Sequence, residues 1–206
     1  MHARTTTLDT RPTDIEAGLA YIRDEVFGAV TSMPGCVGMS LVADRDSGRC
    51  IATSAWESEE AMRATESAVA PMRDRAGELF GSTPRVEEWE IAVMHRDHAS
   101  GAGACVRSTW IQGVQSDVDR SIDVFKLTTL PALEEFDGFC SASMLVNRAT
   151  GRALVTVAYD SRAALDAARE RSNALRERTA NEMSATVQAV QEFDLVLAHL
   201  HVPEMA

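Results

Sequence analysis

The sequence predicts an α+β protein in which one βαββαβ unit is written twice. Two observations carry that reading. Gly35 to Met62 aligns without a gap on Gly138 to Leu165 at an offset of 103, with Gly35, Ser40, Arg45, Gly48, Arg49, Thr53, Ala55, Ser58 and Ala61 identical. The register resumes at an offset of 104, where VEEWEIAVMH (Val86 to His95) meets VQEFDLVLAH (Val190 to His199). A period of about 100 residues exceeds a solenoid repeat and suits one small domain. The repeats are expected over residues 1–97 and 105–206, joined by a flexible linker at 98–104 in the small, Gly-rich stretch DHASGAGA.

Each element has its own signal. Arg4 to Asp9 is Thr-rich and suits a first strand. Thr13 is placed to cap the first helix, with Asp14 and Glu16 at the positive end of its dipole. Ile15, Leu19, Ile22, Val26 and Val30 then recur every three or four residues, the spacing of one apolar helical face, until Pro34-Gly35 ends it. Val37 to Ala43 and Cys50 to Trp56 are β-rich runs around the turn Asp44 to Gly48, which the second copy repeats from Asn147 to Gly151. Ser58 is the cap of a second helix whose inner stripe is Met62, Thr65, Val69, Met72, Ala76 and Leu79. Its counterpart is Leu165, Ala168, Ser172, Leu175, Thr179 and Met183. The last strand alternates through Trp89, Ile91 and Val93, matched by Phe193, Leu195 and Leu197. In the second copy Pro131 is expected to break or kink the first helix near Thr129.

This order is a split-βαβ, ferredoxin-like topology, an antiparallel sheet with two helices on one face. Strands such as Val37 to Ala43 are apolar on both faces, so the second face needs cover, and two copies in one chain can supply it sheet to sheet.

Composition narrows the partners. A formal charge of −11 argues against nucleic acid or an anionic membrane, since both need a basic footprint. The N-terminus has no apolar core of a secretion signal and no stretch approaches a membrane span, so a cytoplasmic protein is expected. Cys36, Cys50, Cys105 and Cys140 show no CxxC spacing and read as reduced, buried thiols. No GxSxG, HExxH or Walker sequence is present.

Pro34-Gly35 before the second strand, and Trp56-Glu57-Ser58-Glu59-Glu60-Ala61 where the third strand enters the second helix, resemble the dimeric α+β barrel superfamily. The likeness is to its antibiotic biosynthesis monooxygenase (ABM)-like domains in particular, with Tyr159-Asp160-Ser161-Arg162-Ala163-Ala164 a weaker echo in the second copy. The resemblance implies an intramolecular, pseudo-dimeric α+β barrel, with further homo-oligomerisation left open. It also implies binding of a small apolar or aromatic molecule, and cofactor-independent oxygenation of an aromatic substrate as the leading activity. A non-catalytic ligand-binding or sensing module and a haem-binding protein are the alternatives. The haem-degrading branch uses an Asn in the first strand and a His in the second helix, and neither position is so occupied here.

Trp56, Tyr159 and Trp110 are the candidate substrate contacts, as pocket walls or as ordinary core aromatics. His95 and His199 occupy equivalent positions and are the candidate acid–base groups or axial ligands, although neither has an evident partner in the sequence. Catalytic residues are not identified, and no metal or cofactor is expected, because no three ligands share a suitable spacing. Arg73 and Arg75, echoed by Arg176 and Arg178, either hold an anionic ligand or form solvated helix surface. Glu87, Glu88 and Glu90 read as a solvated strand face. One working pocket is expected, with the first copy favoured for its closer match to the family motif, between the sheet and its own helices where Thr65, Ala68, Ala76, Ala168, Ser172 and Thr179 leave small or polar side chains.

Overall fold

The computed structural model describes residues 1–200 and 203–205. The first repeat runs β1 (His2–Asp9), α1 (Ile15–Tyr21), α2 (Phe27–Thr31), β2 (Cys36–Asp44), β3 (Arg49–Trp56), α3 (Glu59–Ala64), α4 (Glu66–Phe80) and β4 (Arg85–Arg96). The second repeats it as β5 (Cys105–Gln112), α5 (Val118–Val124), α6 (Leu130–Glu134), β6 (Phe139–Asn147), β7 (Arg152–Tyr159), α7 (Arg162–Ala167), α8 (Arg169–Glu182) and β8 (Thr186–Leu200). Hydrogen-bonded neighbours follow the order β1-β3-β2-β8-β5-β7-β6-β4, which closes into an eight-stranded barrel. Within each repeat the order is the ferredoxin-like one, with β4-β1-β3-β2 answered by β8-β5-β7-β6.

Packing divides the chain into two units. One is Met1–Trp89 with the β8 residues from Asp194 onward, and the other is Glu90–Phe193 with the C-terminal residues from Pro203. In the first unit β1 pairs antiparallel with β3 from His2↔Trp56 to Asp9↔Arg49, and β2 pairs with both β3 and β8. The apolar helix stripe closes this sheet: Ile15, Leu19, Ile22, Val26 and Val30 are buried, as are Met62, Ala76 and Phe80 from the other helices. The second unit packs Val118, Phe125, Leu165, Leu175 and Met183 over β5, β6 and β7 in the same way.

Local detail follows from the sequence, with two corrections. Ser58 and Ser161 cap α3 and α7, their Oγ atoms accepting from the N–H groups of Ala61 and Ala164 at 3.1 and 3.2 Å. Thr13 caps nothing: the helix begins with a 3-10 turn over Pro12–Asp14, and the Thr13 hydroxyl donates to Asp14. Pro131 does not break its helix either. A π-helical turn spans Phe125–Thr129, and the same turn spans Ile22–Val26 in the first repeat, where no proline follows. The wide turn belongs to both repeats, and Pro131 sits in the first turn of α6, where a missing N–H costs little.

Gly48 and Gly151 close the two hairpins in left-handed conformation, φ +77° and +71°. A Cβ on Gly48 would lie 1.9 Å from the Thr10 carbonyl oxygen, so only glycine fits.

Candidate functional site

Each unit holds a cavity between its sheet and its helices, about 50 Å3 in both. The two are built from equivalent positions. β1 supplies Arg4, Thr6 and Leu8 in the first unit, and β5 supplies Arg107, Thr109 and Ile111 in the second. From the second helix come Val69, Met72, Arg73 and Ala76 in one copy, and Ser172, Leu175, Arg176 and Thr179 in the other. Of the small or polar stripe positions, Ala76, Ser172 and Thr179 line the cavities, and Thr65, Ala68 and Ala168 do not.

The walls are mainly aliphatic, so the charged groups stand out. Arg4 and Arg107 are 2% and 3% exposed. Arg107 Nε and Nη2 donate to Glu192 Oε1 at 3.2 and 2.9 Å, and Nη2 also reaches the Leu165 carbonyl at 3.3 Å. Arg4 Nη2 makes the equivalent contacts to Glu88 at 3.1 Å and the Met62 carbonyl at 3.2 Å. Arg107 Nη1 has no hydrogen-bond partner, and neither do Arg4 Nε and Nη1. A buried N–H left unpaired carries its full desolvation cost, which makes it a receptor for any acceptor that enters. Burial works against the charge of Glu192, but hydrogen bonds from Arg107 and Arg169 outweigh it and hold the carboxyl below its ordinary range.

The aromatic candidates back the cavities rather than line them. Trp56 and Tyr159 are fully buried in the core clusters of their units. Trp56 Nε1 donates to Ser54 Oγ at 3.0 Å, and Ser54 is a wall of the first cavity. Burial raises the pKa of Tyr159, against the Arg107 charge and a contact with Ser172, a wall residue of the second cavity, which both lower it. Trp110 lies between Thr109 and Ile111 on β5, and alternation puts it on the opposite face from those two cavity residues.

The histidines lie elsewhere. His95 stacks on Phe139, with Nε2 2.7 Å from Glu134 and Nδ1 2.7 Å from Glu204. Both ring nitrogens are therefore engaged, and an iron would have to displace a carboxylate. His199 is exposed and meets Phe27 edge to face at 6.1 Å.

Two features escaped the sequence. Arg4 and Arg107 are one, and an arginine at the same offset in both first strands, before Thr5-Thr6 and Ser108-Thr109, is the signal that could have found them. The donors of His98, Cys140 and Asp160 lie within 4.8 Å of one another, a grouping no spacing reveals. Cys140 is the extra residue of a bulge between Phe139 and Ser141, and its carbonyl accepts from Asp97 and His98, which draws the chain together. Its thiol is pushed up to about 12, by burial first and by the Asp160 contact second, so it stays protonated at neutral pH.

A sequence model of the family described as antibiotic biosynthesis monooxygenase matches residues 1–68, from β1 into α4. The first repeat carries an ABM domain. Two uncharacterised proteins of Mycobacterium tuberculosis are 50% and 49% identical to it over 205 and 206 residues, covering all of this chain and 92% and 87% of theirs. Solved structures share the fold at low identity. A proposed monooxygenase from Lactobacillus acidophilus aligns over 97% of this chain and 96% of its own, with TM-score 0.70 and 10% identity. An anthrone oxidase-like protein aligns over 100% and 95%, with TM-score 0.67 and 16% identity. Among the described residues no helix is long and apolar enough to cross a membrane.

Proposed function

We propose that this ABM protein binds a small, largely apolar molecule in its helix–sheet cavities and oxygenates an aromatic substrate there without a cofactor. The observation that supports the reading is an apolar cavity carrying one buried guanidinium edge with an unpaired N–H. An activated aromatic such as an anthrone loses a proton from the ring methylene opposite its carbonyl, and the resulting enolate, conjugated through the fused rings, passes an electron to O2. One oxygen atom replaces the two hydrogens at that carbon and the other leaves as water. The dry wall excludes bulk water and Arg107 faces the developing enolate oxygen. Trp56 and Tyr159 would form the rigid wall behind the rings, and Trp110 a contact for any substrate reaching the other face of β5. Four free thiols fit a reducing, cytoplasmic setting.

One observation favours a second reading, a non-catalytic binding module. No Asp, Glu, His, Lys or Tyr lines either cavity, so the proton must leave to solvent or to the substrate itself. Oxygen uptake with an anthrone decides between them. Uptake with formation of the quinone, lost in Arg107→Gln, supports the oxygenase. Protection against thermal unfolding by the anthrone without oxygen uptake supports the module.

A further inference from the structure

The two cavities differ at one pair of equivalent positions. In the first repeat Glu66 contacts Arg4 at 3.1 Å and both Nη atoms of Arg73 at 3.0 Å, so one half-exposed carboxylate of the chain itself bridges the two cavity arginines. The equivalent residue in the second repeat is Arg169. Its guanidinium turns away to Glu192, at 2.7 and 3.0 Å, and that carboxylate is already shared with Arg107 and Arg162. Arg176, the counterpart of Arg73, bonds Asn173 Oδ1 at 2.8 Å and makes no ion pair among the described residues. Its pKa is lowered, by burial first and by the facing charge of Arg107 second. The second cavity therefore keeps both arginines and has lost the anion between them.

We propose that the second cavity is a receptor for a small aromatic or aliphatic monocarboxylate, whose carboxylate occupies the place that Glu66 fills in the first repeat. This rests on reading the cavity as a ligand site. Arg107 lines the cavity, and its Nη1 is buried and unpaired. Arg176 supplies a second guanidinium, and a planar fork pairs with carboxylate oxygens better than with any neutral acceptor. Ile111, Val155, Val157, Leu175 and Met183 receive the apolar remainder. In the first repeat the two arginines are already paired with Glu66, so they offer no open place to such a ligand.

Calorimetric titration of the full chain with benzoate and phenylacetate, and with the neutral benzamide and phenylacetamide, tests this. The expected result is one site per chain, with the acids bound at least about tenfold tighter than the amides. Arg176→Gln should weaken the acids by a similar factor while Arg178→Gln, removing the same charge from the exposed side of the same helix, should not. Arg169→Glu rebuilds the internal carboxylate and should weaken acid binding at least as much. Thermal melts of each variant check folding, and binding of the amides checks that the cavity is intact. Acids and amides binding equally would overturn the proposal and leave the cavity reading standing. No saturable binding of any probe would overturn both. Two equal sites, or acid affinity unchanged in Arg169→Glu, would overturn the proposal alone.

Discussion

Gly35 and Ala61 meet so closely that a methyl group added to the glycine would lie 2.7 Å from the alanine Cβ. Gly138 and Ala164 stand in the same relation, again at 2.7 Å. Both glycines are left-handed, φ +76° and +74°, and their carbonyls accept from Glu57 and Asp160 where the third strand enters its helix. Gly35→Ala and Gly138→Ala should each cost about 1–3 kcal/mol in urea unfolding. Adding Ala61→Gly to Gly35→Ala should relieve the contact but not the backbone strain, so recovery should be partial. Full recovery would show that φ is not the constraint.

Glu192 and Glu66 should differ in worth. Glu192 is 17% exposed and is the only carboxylate that Arg107 reaches among the described residues, so Glu192→Gln should cost about 3 kcal/mol. Glu66 is half exposed and Arg4 retains Glu88, so Glu66→Gln should cost about 1 kcal/mol. Equal losses in chemical denaturation would contradict the assignment of partners.

The same glutamate sets a pH dependence. The folded pKa of Glu192 is lowered from 4.5, so its contribution is present above the unfolded value and is lost as pH falls through the folded one. Stability measured from pH 6 down to about pH 3 should fall less steeply in Glu192→Gln than in the parent protein.

His98 behaves oppositely. Hydrogen bonds to Asp97 and then Asp160 raise its pKa, so the pair stabilises the fold below about 6.5 and that support is lost as pH rises through the folded pKa. In an NMR titration Asp160→Asn should move the imidazole pKa downward. No movement would mean that the contact is absent in solution.

The thiols of Cys50 and Cys140 are pushed up to about 12, burial being the main cause in both. At pH 8 neither should react with a disulfide reagent in the native protein, and both should react at once in guanidinium. Fast native labelling at either position would sink the buried-thiol reading.

Much of this architecture was legible because its causes are local or periodic. Ile15 to Val30 declare a helix face by spacing, Ser58 declares a cap by its side chain, and the offset of 103 makes each copy confirm the other. The stripe was a weaker guide to the cavities: Ala76, Ser172 and Thr179 line them, whereas Thr65, Ala68 and Ala168, equally small or polar, do not. What sequence could not show was pairing across the fold. Arg107 meets Glu192 across 85 positions, and Cys140 meets His98 through a bulge, so neither contact leaves a spacing to read. The π-helical turns were hidden for another reason. The stripe Ile15, Leu19, Ile22, Val26 fits an α-helix as well, and the extra residue in the turn changes register only downstream.

The division of strand β8 has a consequence for synthesis. In the first unit β2 pairs with β8 from Ala43↔Asp194 to Gly38↔Leu200, a stretch made about 150 residues after β2. While the intervening chain is translated at ~5–20 residues per second, the outer edge of β2 waits for roughly 8–30 s without its neighbour. That edge belongs to an apolar strand, the kind that recruits other chains when left open. The half of the molecule that leaves the ribosome first is the last to be finished, and a chain truncated before Asp194 leaves it permanently unfinished.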